Sequence, residues 1–384
     1  PCYKVPDLPA RDPNLQGVDV SVVGIDIGFG FTKATVGTTV GATMGGAAGR
    51  GSLVFKSVFG EAADVPFRDS LSAAGREEHL HVEIDDKPYF VGELAERQSS
   101  VRYFTLDQGQ FITQFARTLA LAALAKLVER NVPVNVVTGL PVGHFRQHRE
   151  ELAELLHGRH TVNLIDRDGK RQETVVSINK VKVIPQPFGS MFDMMLNDRG
   201  ETGERRFMDE KVGIIDIGFR TADYTISSRT SYLGRGSRTT DSGISQAFAT
   251  IASKLQERSG VDVELYRLYE AVETGSIKIR GKNYDLRKLT EQVFGQLAGE
   301  IATQVNQLWL DDWDIDTIVL SGGGGAVLGP YLQPLLQHEN IVTVPPEHDA
   351  RFNNARGYLK YARYLWERGG RAGAAAQPAP QVTS

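Results

Sequence analysis

The chain has 384 residues, 41% hydrophobic and 23% charged, enough for two ordinary domains, each with its own core. Lys+Arg number 43 against 47 Asp+Glu, a formal net charge of -4, so there is no global positive field to hold nucleic acid directly. The one cysteine, Cys2, excludes an internal disulfide framework and a Cys-based zinc site, and no run reaches the ~18 apolar residues of a membrane span.

Residues 1–18 are rich in Pro and Asp and read as an irregular arm without an apolar leader, so a reducing, cytoplasmic setting is expected. Val20–Ile27 is an apolar β-branched run, a buried strand. The Gly-rich insert Val36–Gly51 and the charged stretch Glu61–Asp86 read mostly as surface loops. The spacing predicts a helix of about five turns over Ile112–Arg130, stopped by Asn131 and Pro133. A strand at Val134–Thr138 is closed by Gly139-Leu140-Pro141. Val212–Ile217 is another buried strand. Ser242–Arg258 is helical, with Asp241 or Ser242 as N-cap and Gly260 at the exit, and Leu286–Trp309 is a long helix. A short strand at Thr317–Leu320 runs into Gly322–Gly325, with a helix expected near Val327–Leu336. Asn354–Trp366 is a terminal helix, and 368–384 is a Gly/Ala/Pro-rich tail expected to be disordered. Alternating strands and helices predict α/β layers.

Ile25-Asp26-Ile27-Gly28-Phe29 recurs about 190 residues later as Ile215-Asp216-Ile217-Gly218-Phe219. Each copy follows apolar strand residues and leads into a second strand-like stretch, TKATV or TADYTI. The shared context points to duplication and two pseudo-symmetric domains facing one another. In each copy a strand delivers a carboxylate, and Gly two positions on permits a tight turn and close backbone approach to a ligand. Such turns form small anion-binding concavities. Two of them could grip a polyphosphate from both sides, with Asp26 and Asp216 converging on it. Paired carboxylates beside a polyphosphate require a cation, and Mg²⁺, which keeps most of its waters, fits. Lys33 on the return strand can set its ammonium on a phosphate. The bland alternatives are turn-forming aspartates and a solvated lysine.

In this order, hairpin, connecting helix, hairpin, Gly run and terminal helix resemble the superfamily of actin, sugar-kinase and heat-shock-chaperone ATPases. Asp216-Ile-Gly-Phe-Arg-Thr-Ala-Asp223 is similar to that superfamily's second phosphate motif, D-x-G-x-x-T-x-D. Phe352-Asn-Asn-Ala-Arg-Gly357-Tyr-Leu-Lys360 resembles the final segment of plasmid-segregation actins of the ParM/StbA type and their archaeal-like relatives. The resemblance spans roughly residues 20–366. It implies two duplicated actin/ribonuclease-H-like domains with a nucleotide cleft between them: domain I at 19–184, with a small variable subdomain at about 37–105; domain II at 185–345; and a terminal helix at 346–367 returning to domain I.

The resemblance also implies roles. Gly28, Phe29, Gly30, Thr32 and Lys33 would surround the β-phosphate. Asp26 and Asp216 would hold hydrated Mg²⁺ or the lytic water. Gly218, Phe219, Arg220, Thr221 and Asp223 would face the γ-phosphate and ribose. Gln186, before Pro187, would orient water for attack. Gly322, Gly323 and Gly324 would back the adenosine, and Glu273 and Lys278 would flank the base. Phe29 and Phe219 depart from the small or hydroxylated residues usual there, and Arg220 from Gly or Thr; they could narrow the site or, for Arg220, add a phosphate contact. The implied activity is ATP hydrolysis (GTP is the alternative) coupled to self-assembly into filaments, with a DNA-bound adaptor as a further partner. A small-molecule kinase or a chaperone-like switch on the same fold is the competing expectation.

Overall fold

A computed structural model describes residues 20–37, 51–62, 79–130, 132–345 and 348–368. The N-terminal arm with Cys2, the Gly-rich insert from 38 to 50, positions 63–78 of the charged stretch and the tail from 369 lie outside the described residues.

The first ten strands form one sheet: β1 (Ser21–Ile27), β2 (Phe31–Val36), β3 (Ser52–Lys56), β4 (Phe59–Glu61), β5 (His81–Ile84), β6 (Lys87–Val91), β7 (Arg102–Tyr103), β8 (Val134–Leu140), β9 (Gly158–Ile165) and β10 (Arg171–Pro185). Strands β11 (Lys211–Ile217), β12 (Ala222–Ser228) and β13 (Ser231–Thr240) belong to a second sheet, β14 (Ser276–Ile279) and β15 (Lys282–Asp285) form a separate hairpin, and β16 (Thr317–Ser321) and β17 (Ile341–Thr343) complete the second sheet.

The duplication is visible in topology. The run β3-β2-β1-β8-β10 in the first sheet and β13-β12-β11-β16-β17 in the second share one pattern of directions. In both, two antiparallel pairings lead to the apolar strand and two parallel pairings follow it. Registers match too: Ile27 faces Thr32 and Ile217 faces Ala222, each across a four-residue turn. The turns close alike, Gly28 N–H on Phe31 O at 3.1 Å and Gly218 N–H on Thr221 O at 2.9 Å.

The helices are α1 (Glu93–Gln98), the single turn α2 (Gln108–Gln110), α3 (Ala116–Leu127), α4 (Val142–Leu156), α5 (Pro187–Met195), α6 (Arg206–Asp209), α7 (Ile244–Ser259), α8 (Leu268–Thr274), α9 (Arg287–Leu308), α10 (Gly322–Leu332) and α11 (Asn353–Arg363). Several boundaries differ from the sequence reading, and β5 is a buried sheet strand inside the Glu61–Asp86 stretch expected to be mostly loop. The helix expected from Ile112 is regular only from Ala116, because Ile112 and Thr113 have non-helical dihedrals. The N-cap of α7 is Gly243, whereas Asp241 pairs with Arg220 at 3.3 Å; Gly260 ends the helix in the left-handed region as expected. The oligoglycine run is the first turn of α10 rather than a loop before a later helix.

Each sheet has its own apolar core. A third cluster joins them, combining Val22 and Val137 of the first sheet, Ile214 and Val319 of the second, and Phe188, Met191 and Tyr358 of α5 and α11. Helix α11 lies close on both β1 and α5 because glycines remove the intervening side chains. A Cβ on Gly24 would overlap Ala355 O, and one on Gly357 would overlap Gly189 O. The two Asp–Gly hairpins are thereby brought near each other, close enough for the charge of Asp26 to act on Asp216.

Candidate functional site

At the first hairpin, Asp26 Oδ2 accepts from Lys33 Nζ at 2.7 Å and Oδ1 from Gln186 Nε2 at 3.4 Å. Strand β1 ends at Ile27, so a buried carboxylate stands at the mouth of its turn. Ser57 Oγ donates to Gly28 O at 2.5 Å and lies 2.9 Å from Thr32 Oγ1, fixing the turn from beneath. At the second hairpin, Asp216 Oδ2 accepts from Asn354 Nδ2 at 2.8 Å, and Ser190 Oγ holds Asn354 Oδ1 at 2.7 Å.

The carboxylates of both halves converge. Burial pushes Asp216 up to about 6, with the charge of Asp26 adding to it. Burial pushes Asp223 up to about 7, against the hydrogen bond from Thr239, and Asp216 adds repulsion. Between them stands the Tyr358 phenol, raised well above its ordinary range by burial and by Asp26, Asp216 and Asp223 together. Its Oη reaches Gln186 O at 3.4 Å. Three carboxylates beside the single ammonium of Lys33 form an acidic floor, and a polyphosphate would be repelled by it without a cation. In the ligand-free protein both raised values stabilise the fold at low pH. The native state keeps protons that the unfolded chain, near the ordinary value of 3.8, has already lost. The contribution of these two carboxyls to stability is therefore expected to fall as pH rises from about 4 to about 7, against the opposite trend of His144 and His160, which burial lowers. A pH series of melting curves on the parent and Asp223→Asn isolates the Asp223 part, and a difference between the two that does not change across that window contradicts it.

Directly beside Asp216 is the glycine turn of α10. Gly322 has φ +78°, and a Cβ there would lie 2.5 Å from Asp216 Oδ1, so only glycine fits. Its N–H donates to Asn353 Oδ1 at 3.3 Å. Ser321 at the N-cap makes no side-chain cap bond, so the first-turn N–H groups beyond Gly322 are left directed at the N-terminal end, an arrangement that suits anions. Buried polar atoms without a hydrogen-bond partner include Asn353 Nδ2 beside these glycines and Tyr269 Oη packed against Gly30 of the first turn. Glycine cradles, uncapped helix N–H groups, orphan donors and clustered carboxylates are the groups that a Mg²⁺-nucleotide would satisfy.

Other predicted residues take different places. Phe29 does not crowd the turn: it is buried in the first core, 4.5 Å from Phe111 between ring centroids. Phe219 packs against both cores, touching Phe104, Phe248 and Tyr269. Arg220 lies over the Phe29 ring at 5.3 Å besides pairing with Asp241, so it links the two turns. Glu273 is exposed and its charge acts on Arg351, which stacks over Phe31 at 5.5 Å and borders Gly323. Lys278 stands exposed on the β14–β15 hairpin and is brought to none of these groups by a hydrogen bond or ion pair among the described residues.

Sequence reasoning missed Ser57, Asn353, Asn354, Tyr358, Tyr269 and Arg351 as site residues. Only Asn353-Asn354 carried a signal, as adjacent amides opening an amphipathic helix. The others reach the cleft from elements whose pairing is tertiary.

The fold and this cleft define a two-domain, actin-like protein. Residues 24–189 match the model of the actin like proteins N terminal domain, and residues 214–334 match that of the archaeal actin homologue MreB-like C-terminal domain. The chain belongs to the actin-like family. A non-polymerisable quadruple mutant of pCBH ParM superposes with TM-score 0.73 at 23% identity, covering 90% of this chain and 99% of that one. The structure of a 15-stranded ParM filament from Clostridium botulinum gives 0.71 at 23%, with the same coverage. Ta0583, an archaeal actin homolog, in complex with ADP, gives 0.69 at 19%, covering 89% and 99%. No curated protein matches the chain. Among the described residues, no helix is long and apolar enough to cross a membrane.

Proposed function

We propose that this chain is a filament-forming ATPase that hydrolyses ATP between its two halves, in the cytoplasm, to move DNA or serve another cytoskeletal role through a DNA-bound adaptor. The proposed halves are 19–184 and 185–345, with 346–367 returning to the first. The observation that carries the reading is the pair of matched Asp–Gly hairpins, equal in register and turn closure, converging on one acidic floor. Neighbours that form filaments or carry ADP support it at the level of fold.

In this reading Gly28, Gly30 and Lys33 bind the β-phosphate, and Gly218 and Thr221 the γ-phosphate end; Thr32, expected at the β-phosphate, is instead fully buried and holds the turn from beneath through Ser57. Gly322 and Gly323 take the ribose and base, bordered by Arg351 and Glu273, whereas Gly324 packs on Ile217 and Ile244 and does not face the ligand. Asp26 and Asp216 hold Mg²⁺ through water, and that ion would supply charge neutralisation on the phosphates. Gln186, already hydrogen-bonded to Asp26, orients the attacking water by geometry rather than basicity. Closure of the halves on nucleotide would favour the polymer, and hydrolysis would weaken it.

Sedimentation tests the proposal. With ATP and Mg²⁺ the protein is expected to pellet and then return to solution as phosphate appears. Gln186→Ala should slow phosphate release by about 10²-fold and lengthen the pelleted phase. A protein that stays soluble with ATP at every concentration, while a sugar or organic acid speeds ADP production, would establish the kinase alternative instead.

A further inference from the structure

Helix α4 belongs to the first sheet's half, yet its N-terminus is satisfied from the other. The first N–H groups of a helix have no partner within it. Here Val142 N–H donates to Asp223 Oδ1 at 2.8 Å, and Gly143 N–H to Thr239 Oγ1 at 2.7 Å. Thr239 Oγ1 in turn donates to the same Asp223 oxygen at 2.5 Å, and Thr221 Oγ1 reaches Oδ2 at 3.4 Å. Both oxygens of Asp223 thus have protein partners, and one of those partners, Thr221, closes the second phosphate turn. The approach is close: a Cβ on Gly143 would lie 3.1 Å from Thr239 Cβ. A carboxylate at a helix N-terminus is also favoured by the helix dipole.

Further along, α4 forms a wall of an apolar groove. Phe145, Arg149 and Ala153 line it on one side and Ile184, Phe188 and Tyr232 on the other. Helix α4 is therefore linked at its start, through Asp223, to the second phosphate turn and shapes this groove along its length.

We propose that Asp223 and Thr239 are positioning residues rather than nucleotide ligands, tying α4 to the second phosphate turn so that occupancy of the turn and the width of the groove bias each other. This rests on the nucleotide reading above. Such a tie makes the coupling reciprocal: whatever the cleft does to the groove, a groove ligand does to the cleft. It also accounts for a carboxylate kept in a buried place where it costs stability.

The test places an environment-sensitive dye in the groove at Ala153→Cys, with Cys2→Ser removing the native thiol. Calorimetry measures ATP–Mg²⁺ binding on the same protein. Nucleotide is expected to shift the dye emission. Thr239→Val, which keeps the β-branched shape and removes only the hydroxyl, should cut that shift several-fold while changing nucleotide affinity by less than about 5-fold, the low end of a coupling effect. Thr239→Ser should restore the shift, and Asp223→Asn, which can still accept from Val142, should give an intermediate one. An equal shift in parent and Thr239→Val, or calorimetric binding with no shift in the parent, overturns the tie. No binding heat in the parent overturns the nucleotide reading itself and the tie with it.

Discussion

Asp216→Asn is expected to lower ATP turnover by at least ~10²-fold, the scale of losing a preorganised charged group in a catalytic site, while raising the melting temperature of the ligand-free protein. The two effects have one cause. Asp216 is buried, faces the charge of Asp26, and is pushed up to about 6. Above that pH the native state holds a desolvated carboxylate that the unfolded chain would hydrate. The asparagine oxygen can still accept from Asn354 Nδ2, so the local network survives. What disappears is the charge that would hold Mg²⁺. Phosphate release and melting curves at pH 8, measured side by side, check both parts. Full turnover in the variant removes Asp216 from the chemistry, and a lower melting temperature with lost turnover makes it a structural residue.

The second large effect is on stability. Gly357→Val is expected to destabilise the protein by about 3 kcal/mol, the upper part of the usual range for overpacking a tight contact. Helices α5 and α11 cross where Gly189 meets Gly357, and a Cβ on Gly357 would overlap the Gly189 carbonyl. Neither backbone can retreat easily, because α11 is also seated on β1 over Gly24 and Tyr358 fills the space beside Gly139. The shift in urea midpoint measures this. Nucleotide affinity should fall as well, since Asn353 and Asn354 at the start of α11 would move with it. A variant of unchanged midpoint would show that the crossing is looser than drawn.

Some of the site was legible beforehand because its signal is local. The strand, carboxylate and glycine of each hairpin lie within a few residues, so the repeat exposed Asp26, Gly28, Asp216 and Gly218 together. Lys33 followed because its distance along a hairpin fixes the face it occupies; it does reach Asp26. The oligoglycine run follows the expected strand but reads as a loop from sequence, since glycine's low helix propensity hides that packing of α10 over Ile217 and Ile244 decides its conformation. Phe29 and Phe219 drew attention as departures, and no local pattern says that one turns into a core and the other spans two.

By itself, the amino-acid order determined that two alike strand–turn–strand units exist, that each presents an aspartate beside glycine, and that α/β layers carry them. Those follow from alternation, side-chain shape and turn chemistry, which act over a few residues. Tertiary structure alone decided that the two units bring Asp26 and Asp216 within reach of each other's charge, that Asp216 leans on Asn354, and that Asp223 spends both oxygens on its neighbours. These outcomes depend on how far apart β1 and β11 come to rest. That distance is set by α5 and α11 packing glycine to glycine between the sheets, a contact between segments more than 160 residues apart in the chain.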